Sequence, residues 1–128
     1  MKAPAESTLM KYWRMAVRAK RGDWCVFPGC SSPADQCHHF VHRKFKLTRY
    51  DVENGLPLCM AHHSRADRLN ERGELEQLLD MAYLQSLTKY TTIKDFLVER
   101  GMTEKEFLID ELEQLKIMVK FGFERLTR

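Results

Sequence analysis

The sequence predicts an α+β protein, mostly helical, whose middle is pinned by metal. Three observations predict it. Apolar residues recur at helical spacing near both ends. The stretch from Asp23 to Tyr50 breaks that rhythm with Pro, Gly and Cys. All four cysteines and all five histidines fall between residues 25 and 63. With 128 residues, 44% of them hydrophobic and 30% charged, the chain suits one domain, 1–128, with its own core.

The elements follow in order. Ser7 or Thr8 is placed to cap a first helix over 7–22, with Leu9, Tyr12, Trp13, Ala16 and Val17 on its apolar face and Gly22 as its stop. Lys11, Arg14, Arg18 and Lys20 lie on the other face, where solvation and contact with phosphate are both open readings. "WCVFPGCSSPAD" suits a knuckle-like turn, and "QCHHFVH" reads as a short strand. A basic loop leads to "DVENGLPLC", a turn at Asn54-Gly55 followed by a second apolar strand. "MAHHSRADRLNERGELEQLLDMAYLQSL" returns to helical character, interrupted near Gly73. Residues 74–128 form a helical extension in which Gly101 ends "TTIKDFLVERG" and Thr103 with Glu106 makes a capping box. The stripe Phe107, Leu108, Leu112, Leu115, Met118 and Val119 reads as core or as a homodimer interface.

Charge is uneven. Residues 1–72 carry 13 Lys/Arg against 7 Asp/Glu, and residues 73–128 carry 8 against 11, so the basic half reads either as the place for a polyanion or as a solvated basic face. No apolar run approaches the roughly 20 residues of a membrane span, and "MKAPAESTLMKYW" lacks the apolar region of a secretory signal, so a cytoplasmic protein with no membrane partner is expected. In that setting four cysteines among five histidines point to metal rather than to disulfides.

Cys25 and Cys30 lie five apart across Pro-Gly, and Cys59 and His62 lie three apart at a strand-to-helix junction. Two such pairs, about 30 residues apart, match the two-knuckle grip of a structural Zn²⁺, which needs four N or S ligands at tetrahedral corners. Cys37 is left over, as a buried thiol or as a competitor with His62 for the fourth position. His38, His39, Asn54 and His63 remain, with Asn54 fifteen residues after His39 and His63 nine further on.

These residues resemble the HNH, or ββα-metal, nucleases. "CVFPGC", "DQCHHFVHRK" and "DVENGLPLCMAHHSRAD" carry that family's cysteine pair, histidine pair, central Asn and "LC-x2-C-H" ending, with His62 where a fourth Cys is usual. The C-x4-C knuckle is also longer than the common C-x2-C. The resemblance covers about residues 23–68 and is greatest to phage recombination nucleases of the NinG type, through "HFVHRKFKLTRYDVEN". It implies a zinc-stabilised ββα-metal core over 23–72 and hydrolysis of DNA phosphodiesters, in a bacterial host cell if the chain is phage-encoded. It makes His39 the general base, His38 and His63 ligands of a catalytic divalent ion, and Asn54 the residue that ties the loop and helps orient the base. The ion is expected to be Mg²⁺ or Mn²⁺, with Zn²⁺ or Ni²⁺ as alternatives. Asp67, one helical turn beyond His63, is a third candidate ligand.

The chemistry fits the resemblance. Phosphodiester hydrolysis needs a base near neutral pH, which imidazole supplies, and a cation for the developing charge. In the loop between His39 and Asn54, Arg43, Lys44, Lys46 and Arg49 are candidate phosphate contacts, with Arg43 expected nearest the scissile group and His42 undecided. The rival reading is a non-catalytic zinc-knuckle module that binds DNA or protein.

Overall fold

The computed structural model describes residues 2–121. The chain is mostly helical around one two-stranded antiparallel ribbon, as an α+β reading requires. The elements run α1 (Glu6–Arg21), β1 (Gln36–His39), a 3₁₀ turn (Val52–Asn54), β2 (Gly55–Leu58), α2 (Met60–Arg65), α3 (Leu69–Glu76), α4 (Met81–Thr88), α5 (Ile93–Arg100) and α6 (Glu104–Phe121). Among the described residues no helix is long and apolar enough to cross a membrane.

The ribbon pairs Gln36 with Leu58, Cys37 with Pro57, His38 with Leu56 and His39 with Gly55. Every residue of β2 is buried, because helices cover both of its faces. On one side α1 supplies Leu9, Met10, Trp13, Ala16 and Val17 to a cluster closed by Tyr50, Val52 and Leu115 of α6. On the other, Leu56 and Leu58 meet Cys25, Phe40, Cys59, Ala66 and Leu75. A third cluster, Leu47, Phe96, Leu97 and Phe107, anchors α5 and α6 on the basic loop.

Gly55 marks the closest approach of α1 to the ribbon. A Cβ there would lie 2.2 Å from Val17 Cγ2 and 2.8 Å from Trp13 Cζ2. Gly55→Ala should therefore lower stability by about 1–3 kcal/mol, the usual cost of overpacking, read as an earlier urea midpoint at unchanged m-value.

Several boundaries differ from the sequence reading. Helix α1 begins at Glu6 with Ala5 as its cap residue, the Thr8 and Leu9 amides donating to the Ala5 carbonyl, so Ser7 and Thr8 lie inside the first turn rather than at its cap. The helical stretch after Cys59 does not break at Gly73, which sits within α3. It breaks at Ala66–Arg68, where Ala66 is drawn into the core, and again before Asp80, whose side chain accepts from the Tyr83 amide. A helical glycine costs only about 1 kcal/mol, less than the buried Leu75 two residues on returns. The ribbon's support thus runs through α3 to residue 76, past the expected division at 72.

The Thr103 and Glu106 capping box forms, each side chain taking the other's backbone amide. The α6 stripe turns inward: Phe107 and Leu115 are buried, while Leu108, Leu112, Met118 and Val119 pack against the α1 cluster. A homodimer contact on α6 would have to use its exposed residues, such as Ile117 and Phe121. The end of the expected last helix, residues 122–128, lies outside the described residues.

Candidate functional site

The first site is a knuckle. Phe27-Pro28-Gly29-Cys30 closes with the Cys30 amide donating to the Phe27 carbonyl at 3.0 Å, and Gly29 takes φ +83°, the signature of a type II turn with Pro second and Gly third. The Cys25 amide donates to Ser32 and the Val26 amide to Pro57, which fastens the knuckle to β2. Opposite it, Cys59 begins α2, and Asp35 accepts from the Met60 amide at the helix start. The ligand atoms of Cys25, Cys30, Cys59 and His62 all lie within 4.8 Å of one another. His62 Nδ1 is 3.2 Å from Cys59 Sγ and 3.5 Å from Cys25 Sγ, and Phe27 stacks on its ring at 4.2 Å. Burial pushes the Cys25 thiol up, while the Ser32 backbone amide draws Cys30 down toward the thiolate a metal needs.

This group could hold a structural metal ion. Cys37 takes no part in it. That thiol turns to the α1 side of the ribbon, with Sγ 3.9 Å from the Arg14 carbonyl, and burial raises its pKa.

The second site is a cleft of about 490 Å³ lined by Trp13, Arg14, His38, His39, His42, Arg43, His63, Asp67 and Arg72, among others. Strand alternation puts His38 and His39 on opposite faces of β1, and the cleft wraps the strand so that both open into it. His39 lies flat on Trp13, ring centroids 3.9 Å apart and planes 8° from parallel. Its Nε2 is 2.9 Å from the Arg49 carbonyl. A carbonyl only accepts, so Nε2 carries the proton and Nδ1 keeps the lone pair. Burial moves the His39 pKa down to about 4, which leaves the ring uncharged at neutral pH.

His38 points the other way, toward α2. Its Nε2 is buried with no hydrogen-bond partner, its ring meets His63 edge-on at 5.2 Å, and Asp67 Oδ1 stands 3.9 Å from Nε2. Burial lowers its pKa to about 4 against the pull of Asp67, so it too is uncharged at neutral pH. A buried imidazole nitrogen without a partner suits a metal ligand. The set His38, His63 and Asp67 fits a divalent ion in chemistry, but it is less gathered than the knuckle. Among the described residues, the knuckle is the one group of three or more His, Cys, Asp or Glu side chains gathered so that they could hold a metal ion.

Asp67 does not sit one turn along the helix from His63. Helix α2 ends at Arg65, and Asp67 faces His38 from the turn after it. Consecutive helical positions differ by about 100°, which sends His62 to the knuckle and His63 to the cleft.

Asn54 is fully buried and ties the loop. Its Oδ1 accepts from the Val41 amide at 2.6 Å, and its Nδ2 donates to Val41 and Thr48 carbonyls at 3.0 and 3.2 Å. It does not line the cleft, so its link to His39 is positional, through the loop that carries Arg49.

The loop cations part company. Arg43 is exposed and lines the cleft. Lys44 is exposed, its amide donating to His42 Nδ1. Lys46 pairs with Glu104 at 3.3 Å. Arg49 donates from Nε to the Arg43 carbonyl and from Nη1 to Glu6. Two further arginines line the cleft, of which Arg72 has no part in the sequence reading and Arg14 enters it only within the basic face of α1. Arg14 comes from α1, and Arg72 of α3 lies over the Phe40 ring while donating to the Phe40 carbonyl. No local spacing marks them.

The fold and site together define a mostly helical α+β protein whose ribbon carries, on one side, a Cys₃His group that could hold a metal ion and, beside it, a histidine cleft. No protein-family model, curated protein or solved structure matches the chain.

Proposed function

We propose that this chain is an HNH-type, ββα-metal endonuclease that hydrolyses DNA phosphodiester bonds. The observation that carries the reading is the pair His38 and His39, which present two differently prepared imidazoles to one cleft. His39 is held by Trp13 and the Arg49 carbonyl with its Nδ1 lone pair available, and His38 is buried with an unpartnered Nε2 beside Asp67. His39 would take a proton from water as the water oxygen attacks phosphorus. The bond to the 3′-oxygen breaks, leaving 5′-phosphate and 3′-hydroxyl ends. A divalent ion, Mg²⁺ or Mn²⁺ first, held by His38, His63 and Asp67 would stabilise the charge on the departing oxygen. Arg43 is placed to hold the phosphoryl oxygens, and the Cys25, Cys30, Cys59 and His62 group would carry Zn²⁺. Phage DNA recombination, and with it branched DNA, is the setting we propose.

The test is cleavage of plasmid, linear, single-stranded and junction DNA in Mg²⁺, Mn²⁺ and Zn²⁺. His39→Ala should lower divalent-dependent cleavage about 10²–10³-fold, the usual worth of a general base, with the fold kept. Cleavage equal to that of the parent protein would remove His39 from the mechanism.

The looser gathering of His38, His63 and Asp67 favours a second reading, a non-catalytic zinc-knuckle module that binds DNA or protein. One Zn²⁺ per chain, no second divalent site and no nicking in any metal would select it.

A further inference from the structure

Helix α1 lies outside the stretch that resembles a nuclease, yet it forms one wall of the cleft. Trp13 is fully buried beneath His39, with its indole N–H donating to the Asp51 carbonyl at 2.8 Å. The next residue, Arg14, is exposed and lines the cleft, as Arg43 does. Beside the cleft lies a second, smaller depression of about 320 Å³. Met10, Arg14 and Arg43 line both depressions, so one runs into the other.

The charges at this junction are unequal in availability. Glu6, the one acidic residue lining the second depression, lies 3.1 Å from Arg49 Nη1, and Arg49 spends its Nε on the Arg43 carbonyl. Arg14 and Arg43 have no acidic partner at ion-pair distance among the described residues, and both are exposed. Two exposed arginines line both depressions, the first of which holds the histidines. Guanidinium forks bind phosphate oxygens in pairs.

We propose that Arg14 makes a second phosphate subsite, which holds a phosphate of the same nucleic-acid strand next to the one at the histidines, with Arg43, which lines both depressions, shared between the two. Helix α1 thereby sets the path of the strand. The subsite rests on the nuclease reading for its neighbour, the scissile phosphate, but not for its affinity for a polyanion.

The test uses the full chain, metal-loaded, in a His39→Ala background so that DNA stays intact. Binding of fluorescein-labelled single-stranded and duplex oligonucleotides is followed by anisotropy from 50 to 200 mM KCl. Arg14→Ala should weaken binding about 5- to 10-fold at 100 mM KCl and reduce the slope of log K against log[salt] by about one, the signature of one lost phosphate contact. Arg14→Lys should keep the slope, and Lys94→Ala, a cation of α5 that lines neither depression, should change nothing. An unchanged slope in Arg14→Ala, or an equal loss in Lys94→Ala, overturns the subsite. If the parent protein cuts no DNA in any metal but Arg14→Ala still lowers the slope, the nuclease reading fails and the subsite stands. No measurable binding to either oligonucleotide overturns both.

Discussion

Cys59→Ser should leave the chain unable to retain metal and should lower its melting temperature by more than about 10 °C, a few kcal/mol for a domain of this size. Cys59 has two roles. Its thiol is one of four ligand atoms gathered within 4.8 Å, and its backbone starts α2, the His63 amide donating to its carbonyl at 2.8 Å. A serine hydroxyl cannot replace a thiolate, so three ligands remain around whatever ion is held. Structural zinc contributes on the order of 10 kcal/mol in small domains, because the unfolded chain has no preformed site. The knuckle buries only a modest cluster around Cys25, Leu56 and Leu58, and without metal little else draws residues 25–35 onto β2. A chelator added to the parent protein should give the same destabilisation, reversed by Zn²⁺. Metal analysis of the purified chain should find one Zn²⁺, lost in Cys59→Ser and reduced in His62→Ala. Cys37→Ser should retain it fully, since Cys37 lies apart from the group; loss of metal there would put Cys37 in the fourth position instead.

The knuckle was legible because its geometry is local. Pro28-Gly29 dictates a turn that brings Cys30 back toward Cys25, and Cys59 with His62 needs only one turn of helix. The ribbon was legible strand by strand, β1 from the short run "QCHHFVH" and β2 from the apolar segment after the Asn54-Gly55 turn. What stayed hidden depends on contacts between distant residues. Nothing near Lys46 in sequence says that it will pair with Glu104, 58 residues away. Nothing near Trp13 says that it will lie under His39, and nothing near Arg72 says that it will stack on Phe40. Gly73 misled because a glycine's helix cost is small beside the burial of Leu75. The three hydrogen bonds of Asn54 show why an amide is needed there: it donates and accepts at the same buried point.

Asn54→Asp is the sharpest use of that point, because it changes almost no volume and inverts half of the hydrogen-bonding. Where Nδ2 now donates to the Val41 and Thr48 carbonyls, an ionised aspartate would set an acceptor oxygen against both, in a fully buried site. A protonated aspartate could donate once, which leaves one carbonyl unpaired. Either way the cost should be about 3–5 kcal/mol at neutral pH, the range for an uncompensated buried charge or a broken buried polar network. That is enough to shift a large share of an ordinary domain toward the unfolded state. The sign with pH follows from burial, which raises the folded pKa of such an aspartate above its unfolded value. The penalty should be full at pH 7 and shrink as pH falls through the folded pKa. Asn54→Ala, which loses the bonds without adding repulsion, should be less destabilising than Asn54→Asp at pH 7, and the two should converge toward pH 4 in urea titrations. Function should fall with the loop, since Val41 to Tyr50 carries Arg43 and the Arg49 carbonyl that holds His39 Nε2. An Asn54→Asp protein within about 1 kcal/mol of the parent at pH 7 would mean that the loop is held by its packed residues Leu47 and Tyr50. The His39 ring would then owe its orientation to Trp13 and the Arg49 carbonyl without Asn54.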